Sequence, residues 1–158
     1  PDGQRLLTKL DYRTARLWDI QGKQLTNFGN LKNIRGISFS PDGQRLLTKL
    51  DYRTARLWDI QGKQLTNFGN LNNISDISFS PDGQRLLTKL DYRTARLWDI
   101  QGKQLTNFGN LNNIRDISFS PDGQRLVTKL DDETARLWDI QGKQLTNFGN
   151  LNNIRGIS

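Results

Sequence analysis

The stretch Leu-Trp-Asp-Ile stands at residues 17–20 and recurs at residues 57–60, 97–100 and 137–140, each time 40 residues further along. The surrounding sequence recurs with it, so the chain divides into four near-identical repeats, residues 1–40, 41–80, 81–120 and 121–158. A fixed period of about 40 residues is typical of proteins in which each repeat forms one supersecondary unit. One such unit is too small to bury a core alone, so we expect the repeats to stack on one another.

Each repeat has the pattern of four short β-strands joined by tight turns. In the first repeat, strands are predicted over residues 5–10, 14–20, 23–28 and 34–40. Pro-Asp-Gly at residues 1–3 and Gln-Gly at 21–22 supply the turns, and no segment between these breakers is long enough for a helix. Apolar residues occur on both faces of the strands, so each sheet must be covered on both faces.

Two motifs point to a known family, one across the junction of the first and second repeats and one inside the second repeat. Ile-Ser-Phe-Ser-Pro-Asp-Gly-Gln-Arg-Leu-Leu at residues 37–47 and Ala-Arg-Leu-Trp-Asp at 55–59 resemble the WD-repeat β-propeller proteins, and the likeness covers the whole chain. The resemblance implies an all-β fold, a β-propeller of four-stranded antiparallel blades with four blades per chain. It places strands a to d, from the central channel outwards, at residues 37–40, 45–50, 54–60 and 63–68.

The resemblance also implies which residues hold a blade together. These structural residues are Trp18, Trp58, Trp98 and Trp138, with Asp19, Asp59, Asp99 and Asp139. The chain departs from the family at three other positions. Gly-Asn replaces the usual Gly-His, as at residues 29–30; Tyr12, Tyr52 and Tyr92 replace an Asp of the b–c turn; and Leu10, Leu50, Leu90 and Leu130 replace a Ser of strand b. The family's buried Asp-His-Ser-Trp network therefore cannot form, and we expect the Trp side chains to depend on apolar packing.

The two ends of the chain suggest how such blades could assemble. The first repeat supplies strands b, c and d without strand a, and the unmatched strand a is expected at the other end, in Ile154, Arg155, Gly156, Ile157 and Ser158. Propellers have about 4 to 8 blades, and four blades of the WD type cover about half of a larger ring. We therefore expect an eight-bladed ring formed by a two-fold dimer, each chain completing the first blade of the other. A four-bladed monomeric ring is the alternative, and other ring sizes stay open.

Composition excludes several kinds of chemistry. The chain has no Cys and no His, which removes thiol nucleophiles, thiolate metal ligands and the commonest general base. We therefore expect no enzyme activity, no cofactor and no metal site, and instead a self-assembling scaffold or protein-interaction module, from an amplified or engineered repeat. We expect neither a membrane-spanning segment nor a leader. The compartment is not determined and is cytoplasmic only by default.

A candidate binding rim follows from comparing the repeats with one another. They differ at six positions, five of them in or beside the b–c and d–a connections, which open on the same rim in propellers. The candidate residues of this rim are Tyr12, Arg13, Lys32, Arg35, Tyr52, Arg53, Tyr92, Arg93, Arg115, Asp132 and Glu133. Aromatic and cationic side chains suit protein partners or anions, whereas neutral drift in tolerant loops would give the same differences.

Net charge adds an alternative function. The chain carries a net charge of +7, which favours nucleic acid or another polyanion as a partner of the basic rim. The charge is graded along the repeats and forms no basic tail. Asp131, Asp132 and Glu133 form an acidic spot that is expected to be solvated, since it lacks the pattern of a calcium loop.

Overall fold

The computed structural model describes residues 3–11, 13–28, 31, 33–51, 53–68, 74–90, 93–108, 113–131 and 134–150. Within these ranges it contains fifteen β-strands and no helix. The chain divides into two compact units, one of residues 1–74 with 100–102 and the other of residues 75–99 with 103–158. The expected all-β fold is confirmed.

The strands form four antiparallel meanders, each ordered as in the sequence. The first sheet has three strands in the described residues, β1 (Arg5–Lys9), β2 (Ala15–Asp19) and β3 (Gln24–Phe28). The second sheet contains β4 (Gly36–Phe39), β5 (Arg45–Lys49), β6 (Ala55–Asp59) and β7 (Gln64–Phe68). The third contains β8 (Asp76–Phe79), β9 (Arg85–Lys89), β10 (Ala95–Asp99) and β11 (Gln104–Phe108). The fourth contains β12 (Ile114–Phe119), β13 (Arg125–Leu130), β14 (Thr134–Asp139) and β15 (Gln144–Asn150).

The last pair of strands in each sheet carries a β-bulge. In the second sheet Leu57 lies opposite Thr66, whereas Trp58 lies opposite Gln64, so Leu65 is the extra residue. The same shift recurs in the other three sheets. A bulge residue stands outside the regular alternation of faces. This explains why the bulge leucines, Leu25, Leu65, Leu105 and Leu145, are all exposed.

Apolar layers between consecutive sheets form the core of each unit. We call the side of a sheet that carries Ala15, Leu17 and Phe28, or their repeats, its front face, and the side that carries Leu46 and Trp58, or their repeats, its back face. In the first unit the front face of the first sheet packs with Leu46 and Leu50 of the second sheet's back face. The second unit repeats this layer, with Leu97 and Phe108 against Leu126 and Leu130.

The turn between the first two strands of a sheet is held by a serine and an aspartate. Ser40 Oγ donates to Asp42 Oδ1 at 2.6 Å, and the same oxygen atom of Asp42 accepts from Gln44 N at 3.0 Å. Gly43, at φ 73°, supplies the left-handed residue that the turn needs. The contacts recur at Ser80 with Asp82 and at Ser120 with Asp122, so the Pro-Asp-Gly motif forms the same turn in three copies.

These turns should make the fold sensitive to acid. The Ser80 hydroxyl, and then Gln84 N, hold the pKa of Asp82 below its ordinary value. Because the pKa is lower in the folded state, the stabilisation is complete above the ordinary aspartate range and is lost as the pH falls through the lower, folded-state pKa. We expect Asp82→Asn to flatten the dependence of the unfolding free energy on pH between about pH 5 and pH 2.

Urea titrations across that pH range would measure this effect. Ser80→Ala is the matched variant, because it keeps the carboxylate and removes its first donor. It should flatten the same part of the curve. An unchanged pH dependence in both variants would contradict the assignment.

Candidate interaction surfaces

Successive repeats are joined by one recurring hydrogen bond, which we call the seam bond. Thr26 Oγ1 donates to the carbonyl oxygen of Ile60 at 2.6 Å. The bond recurs at the same distance from Thr66 to Ile100 and from Thr106 to Ile140. Each bond pairs a hydroxyl group with a carbonyl group at the edge of an apolar layer. Such polar groups need a hydrogen-bond partner when they are removed from water.

An aromatic pair accompanies the seam bond. Phe28 and Trp58 meet edge to face, with ring centroids 5.8 Å apart at 72°, and Phe108 and Trp138 do the same at 6.1 Å and 80°. Edge-to-face packing brings the positive edge of one ring to the negative face of the other. A front face thus presents Thr and Phe, and the back face that covers it presents Trp and an Ile carbonyl.

The glycine two residues after the Leu-Trp-Asp-Ile motif allows the front face of one sheet to approach the back face of the next. A Cβ at Gly62 would lie 3.0 Å from Thr26 Cγ2, and one at Gly142 would lie 3.1 Å from Thr106 Cγ2. Both glycines also have a positive φ, 95° and 94°. Gly22 has a positive φ as well, but an added Cβ there would meet nothing within 4 Å.

The back face of the first sheet is open. Leu6 is 59% exposed, whereas the equivalent Leu46, Leu86 and Leu126 are 0% exposed. Ile20 is also exposed, at 62%. A hollow of about 460 Å³ lies over this face and is lined by Leu6, Trp18, Ile20 and Gly22, among others. In the later repeats the equivalent residues of the back face form the seam bond and the aromatic pair.

The front face of the last sheet is open in the same way. Phe148 is 50% exposed, whereas Phe28 and Phe108 are 4% and 3% exposed. Thr146 is exposed although Thr26 and Thr106 are buried. The first sheet and the last sheet therefore expose the two complementary halves of one kind of layer.

The candidate rim is described only in part. The described members are Arg13, Arg35, Arg53, Arg93 and Arg115; Tyr12, Lys32, Tyr52, Tyr92, Asp132 and Glu133 lie outside the described residues. So do the residues of the expected assembly strand, 154–158. In the described part of the rim, the b–c connection and the d–a connection lie next to each other. Leu31 N donates to Arg13 O at 3.0 Å, and Asp131 N donates to Asn113 O at 3.0 Å.

Charges of both signs lie along this rim. Asp11 Oδ1 accepts from Arg13 N and Thr14 N at 2.7 and 2.8 Å, and the bond from Arg13 N is the main cause that lowers the pKa of Asp11. Asp51 Oδ1 accepts from Arg53 N at 2.7 Å, and Arg115 forms an ion pair with Asp131. Carboxylates thus alternate with the arginines, and the described rim is not uniformly basic.

The tryptophans are held differently from the expectation. Trp58 Nε1 donates to Thr48 Oγ1 at 3.0 Å, and the bond recurs at 2.8, 2.9 and 3.0 Å in the other repeats. The expectation that the Trp side chains depend on apolar packing alone was wrong. It rested on Leu50, which stands in the place of the family's Ser, whereas the acceptor is Thr48, two residues earlier. Thr48 and Trp58 lie on the back face at adjacent paired positions, Thr48 opposite Arg56 and Leu46 opposite Trp58. The alternation of strand residues could have revealed this pair.

The aspartates of the motif hold the next turn. Asp19 Oδ1 accepts from Gln21 N and Lys23 N, both at 2.9 Å. Asp59 and Asp139 accept from the equivalent amides, and Asp99 accepts from Lys103 N at 2.9 Å. These carboxylates therefore order the turns that carry Gly22, Gly62, Gly102 and Gly142.

The described residues contain no cluster of three or more Asp or Glu side chains placed to hold a metal ion. No helix long and apolar enough to cross a membrane occurs among them.

Comparison with known proteins agrees with this architecture. The family model described as WD domain, G-beta repeat matches residues 22–59, 62–99 and 102–139, which is more than two thirds of the chain. Each match begins at the glycine two residues after a Leu-Trp-Asp-Ile motif and ends at the Asp of the next motif. No curated protein matches the sequence.

Proposed function

Because the chain belongs to the WD domain, G-beta repeat family, we propose that it is a non-catalytic interaction scaffold whose own second copy is its immediate partner. Members of this family generally mediate interactions between proteins. The observation that carries the proposal is the incomplete first sheet. In the described residues no strand pairs with the edge of β1 that lies opposite β2, whereas the equivalent β5, β9 and β13 each pair with one more strand.

A strand of the right sequence exists at the other end of the chain. Residues 154–158 are identical to residues 34–38, which include the start of β4. In the second sheet Gly36 lies opposite Lys49 and Ile37 opposite Thr48. The same register would set Gly156 of one copy opposite Lys9 of another and Ile157 opposite Thr8. A strand edge can accept an added strand through its backbone N–H and C=O groups.

Exchange in both directions would join two copies into a closed dimer. Closed assemblies with two-fold symmetry are the commonest among homo-oligomers. Two chains of four repeats would then form the eight-bladed ring, with Ile154, Arg155, Gly156, Ile157 and Ser158 as the exchanged strand. A scaffold of this kind presents its rim, including Arg13 and Arg53, to further protein partners.

Light scattering during size-exclusion chromatography tests the proposal. We expect twice the 18.2 kDa of a single chain at micromolar concentration. Deletion of residues 154–158 should weaken self-association at least about tenfold, which corresponds to about 1.4 kcal/mol. A stable monomer of the 158-residue chain at micromolar concentration would refute the proposal.

A matched pair of variants tests the strand itself. Arg35 N donates to Lys49 O at 2.7 Å at the start of β4, so Arg155 N is the equivalent donor in the exchanged strand. Arg155→Pro removes this N–H and should weaken self-association. Arg155→Ala keeps the N–H and should leave the association unchanged. Equal effects of the two variants would show that residue 155 does not pair as a strand.

The alternative function, binding of nucleic acid or another polyanion, stays a prediction from net charge. The described part of the rim does not favour it, because carboxylates accompany its arginine residues. Asp11 and Asp51 accept from the backbone N–H groups of Arg13 and Arg53, and Asp131 forms an ion pair with Arg115. The apolar open faces instead favour a protein partner.

A further inference from the structure

We infer that two copies meet head to tail, with the open front face of the last sheet in one copy covering the open back face of the first sheet in the other. Thr146 and Phe148 would meet Trp18 and Ile20 there. The inference rests on the proposed self-association and adds which faces meet and which atoms bond. It concerns side chains, whereas strand exchange concerns the backbone edge of β1.

The seam bonds within the chain define the expected contact. Three of them join a Thr to an Ile located 34 residues later, each at 2.6 Å. Thr146 and Ile20 occupy the same repeat positions as these donors and acceptors. In the head-to-tail arrangement Thr146 Oγ1 donates to the carbonyl oxygen of Ile20 in the other copy.

The apolar side chains around this bond match in the same way. Phe148 repeats Phe28 and Phe108, and Trp18 repeats their partners Trp58 and Trp138. Phe148 is half exposed and Leu6 is 59% exposed, although their equivalents are nearly or fully buried. Covering each open face with the other therefore removes the largest exposed apolar side chains peculiar to the two end sheets.

Gly22 adds an independent sign that a neighbour fits here. Its equivalents Gly62, Gly102 and Gly142 each lie against the methyl group of a seam Thr, at 3.0 to 3.1 Å from a built Cβ. Gly22 has the same left-handed backbone, with φ 88°, and nothing against it. In the head-to-tail arrangement the Thr146 methyl group of a second copy would occupy the open space beside Gly22.

Each seam of the two-fold dimer joins two different faces, so it differs from a contact in which one open face meets the same face of the other copy. Cysteine cross-linking separates the two cases cleanly, because the chain has no Cys. A Cβ at Gly62 would lie 3.0 Å from Thr26 Cγ2, which places cysteines at these two positions within the short span of a disulfide. We therefore expect a mixture of Gly22→Cys and Thr146→Cys chains to form a disulfide-linked dimer on oxidation. Neither variant should do so alone.

A double variant within one repeat pair is the matched control. Thr26→Cys with Gly62→Cys has the same backbone geometry and should form its disulfide inside a single chain. This control shows whether cysteines at the Thr and Gly positions of a seam can form a disulfide. Mass spectrometry of peptides under non-reducing conditions identifies which residues are joined.

Four results would overturn the inference. Cross-linking of Gly22→Cys with itself would show that back faces meet each other. A Gly22→Cys/Thr146→Cys chain that forms its disulfide within one chain would show monomeric closure. Absence of the bond in the mixture, although the control forms its own and light scattering still shows dimers, would overturn the head-to-tail seam and leave the proposed self-association intact. A monomer in light scattering would overturn both.

Discussion

Replacing Leu46 by alanine should lower the free energy of unfolding by about 2 to 5 kcal/mol. Leu46 is fully buried between the first and second sheets, in a layer with Leu17 and Phe28. Removing its branched end loses apolar burial and leaves a cavity, because the strands on either side cannot move together. Urea denaturation at fixed protein concentration measures the loss.

Leu65→Ala is the control for this prediction. Leu65 belongs to the same sheet but is the bulge residue, and it is exposed. Its replacement should change the free energy of unfolding by less than about 1 kcal/mol. Equal losses for Leu46→Ala and Leu65→Ala would contradict a core located in the layer between consecutive sheets.

Replacing Phe148 by arginine should weaken self-association by at least about a hundredfold, which corresponds to about 2.7 kcal/mol. In the head-to-tail arrangement Phe148 packs edge to face on Trp18 of the other copy, as Phe108 packs on Trp138 within the chain. An arginine there would place a charge in an apolar layer without a partner. Sedimentation equilibrium over a dilution series gives the dissociation constant directly.

The bulge again provides the control. Leu145 lies three residues before Phe148 on β15 and is exposed to the same extent as its equivalents in the other repeats. Leu145→Arg adds the same charge outside the seam, so self-association should stay within about threefold of the unmodified chain. If both arginine variants dissociate alike, net charge rather than the front face controls the assembly.

Strand positions could be predicted closely because turn chemistry is local. The strands predicted over residues 5–10 and 14–20 were observed as Arg5–Lys9 and Ala15–Asp19. The residues at their ends belong to the connections instead, as when Leu10 N donates to Thr14 O at 3.0 Å. Pro, Gly and Asp restrict the backbone within a few residues, so the sequence suffices to locate such elements.

The partner of each Trp was missed for a reason that is also physical. A hydrogen bond between Trp58 and Thr48 joins residues on neighbouring strands, and which residues meet depends on register. The family pattern directed attention to Leu50, whereas the register places Leu46 opposite Trp58, so Thr48 is the next residue on that face. Thr therefore provides the acceptor that the altered family network lacks.

The amino-acid sequence alone determined the repeat, the four-stranded meander, the turn types and membership of the WD family, because each depends on local chemistry and on its period. Only the tertiary structure decided which copies of one residue are buried. Leu6 and Leu46 stand in the same local sequence, Pro-Asp-Gly-Gln-Arg-Leu-Leu-Thr-Lys-Leu, yet one is 59% exposed and the other 0%. Burial depends on the sheet that packs against a residue rather than on the residue itself, and the back face of the first sheet is open whereas that of the second sheet is covered.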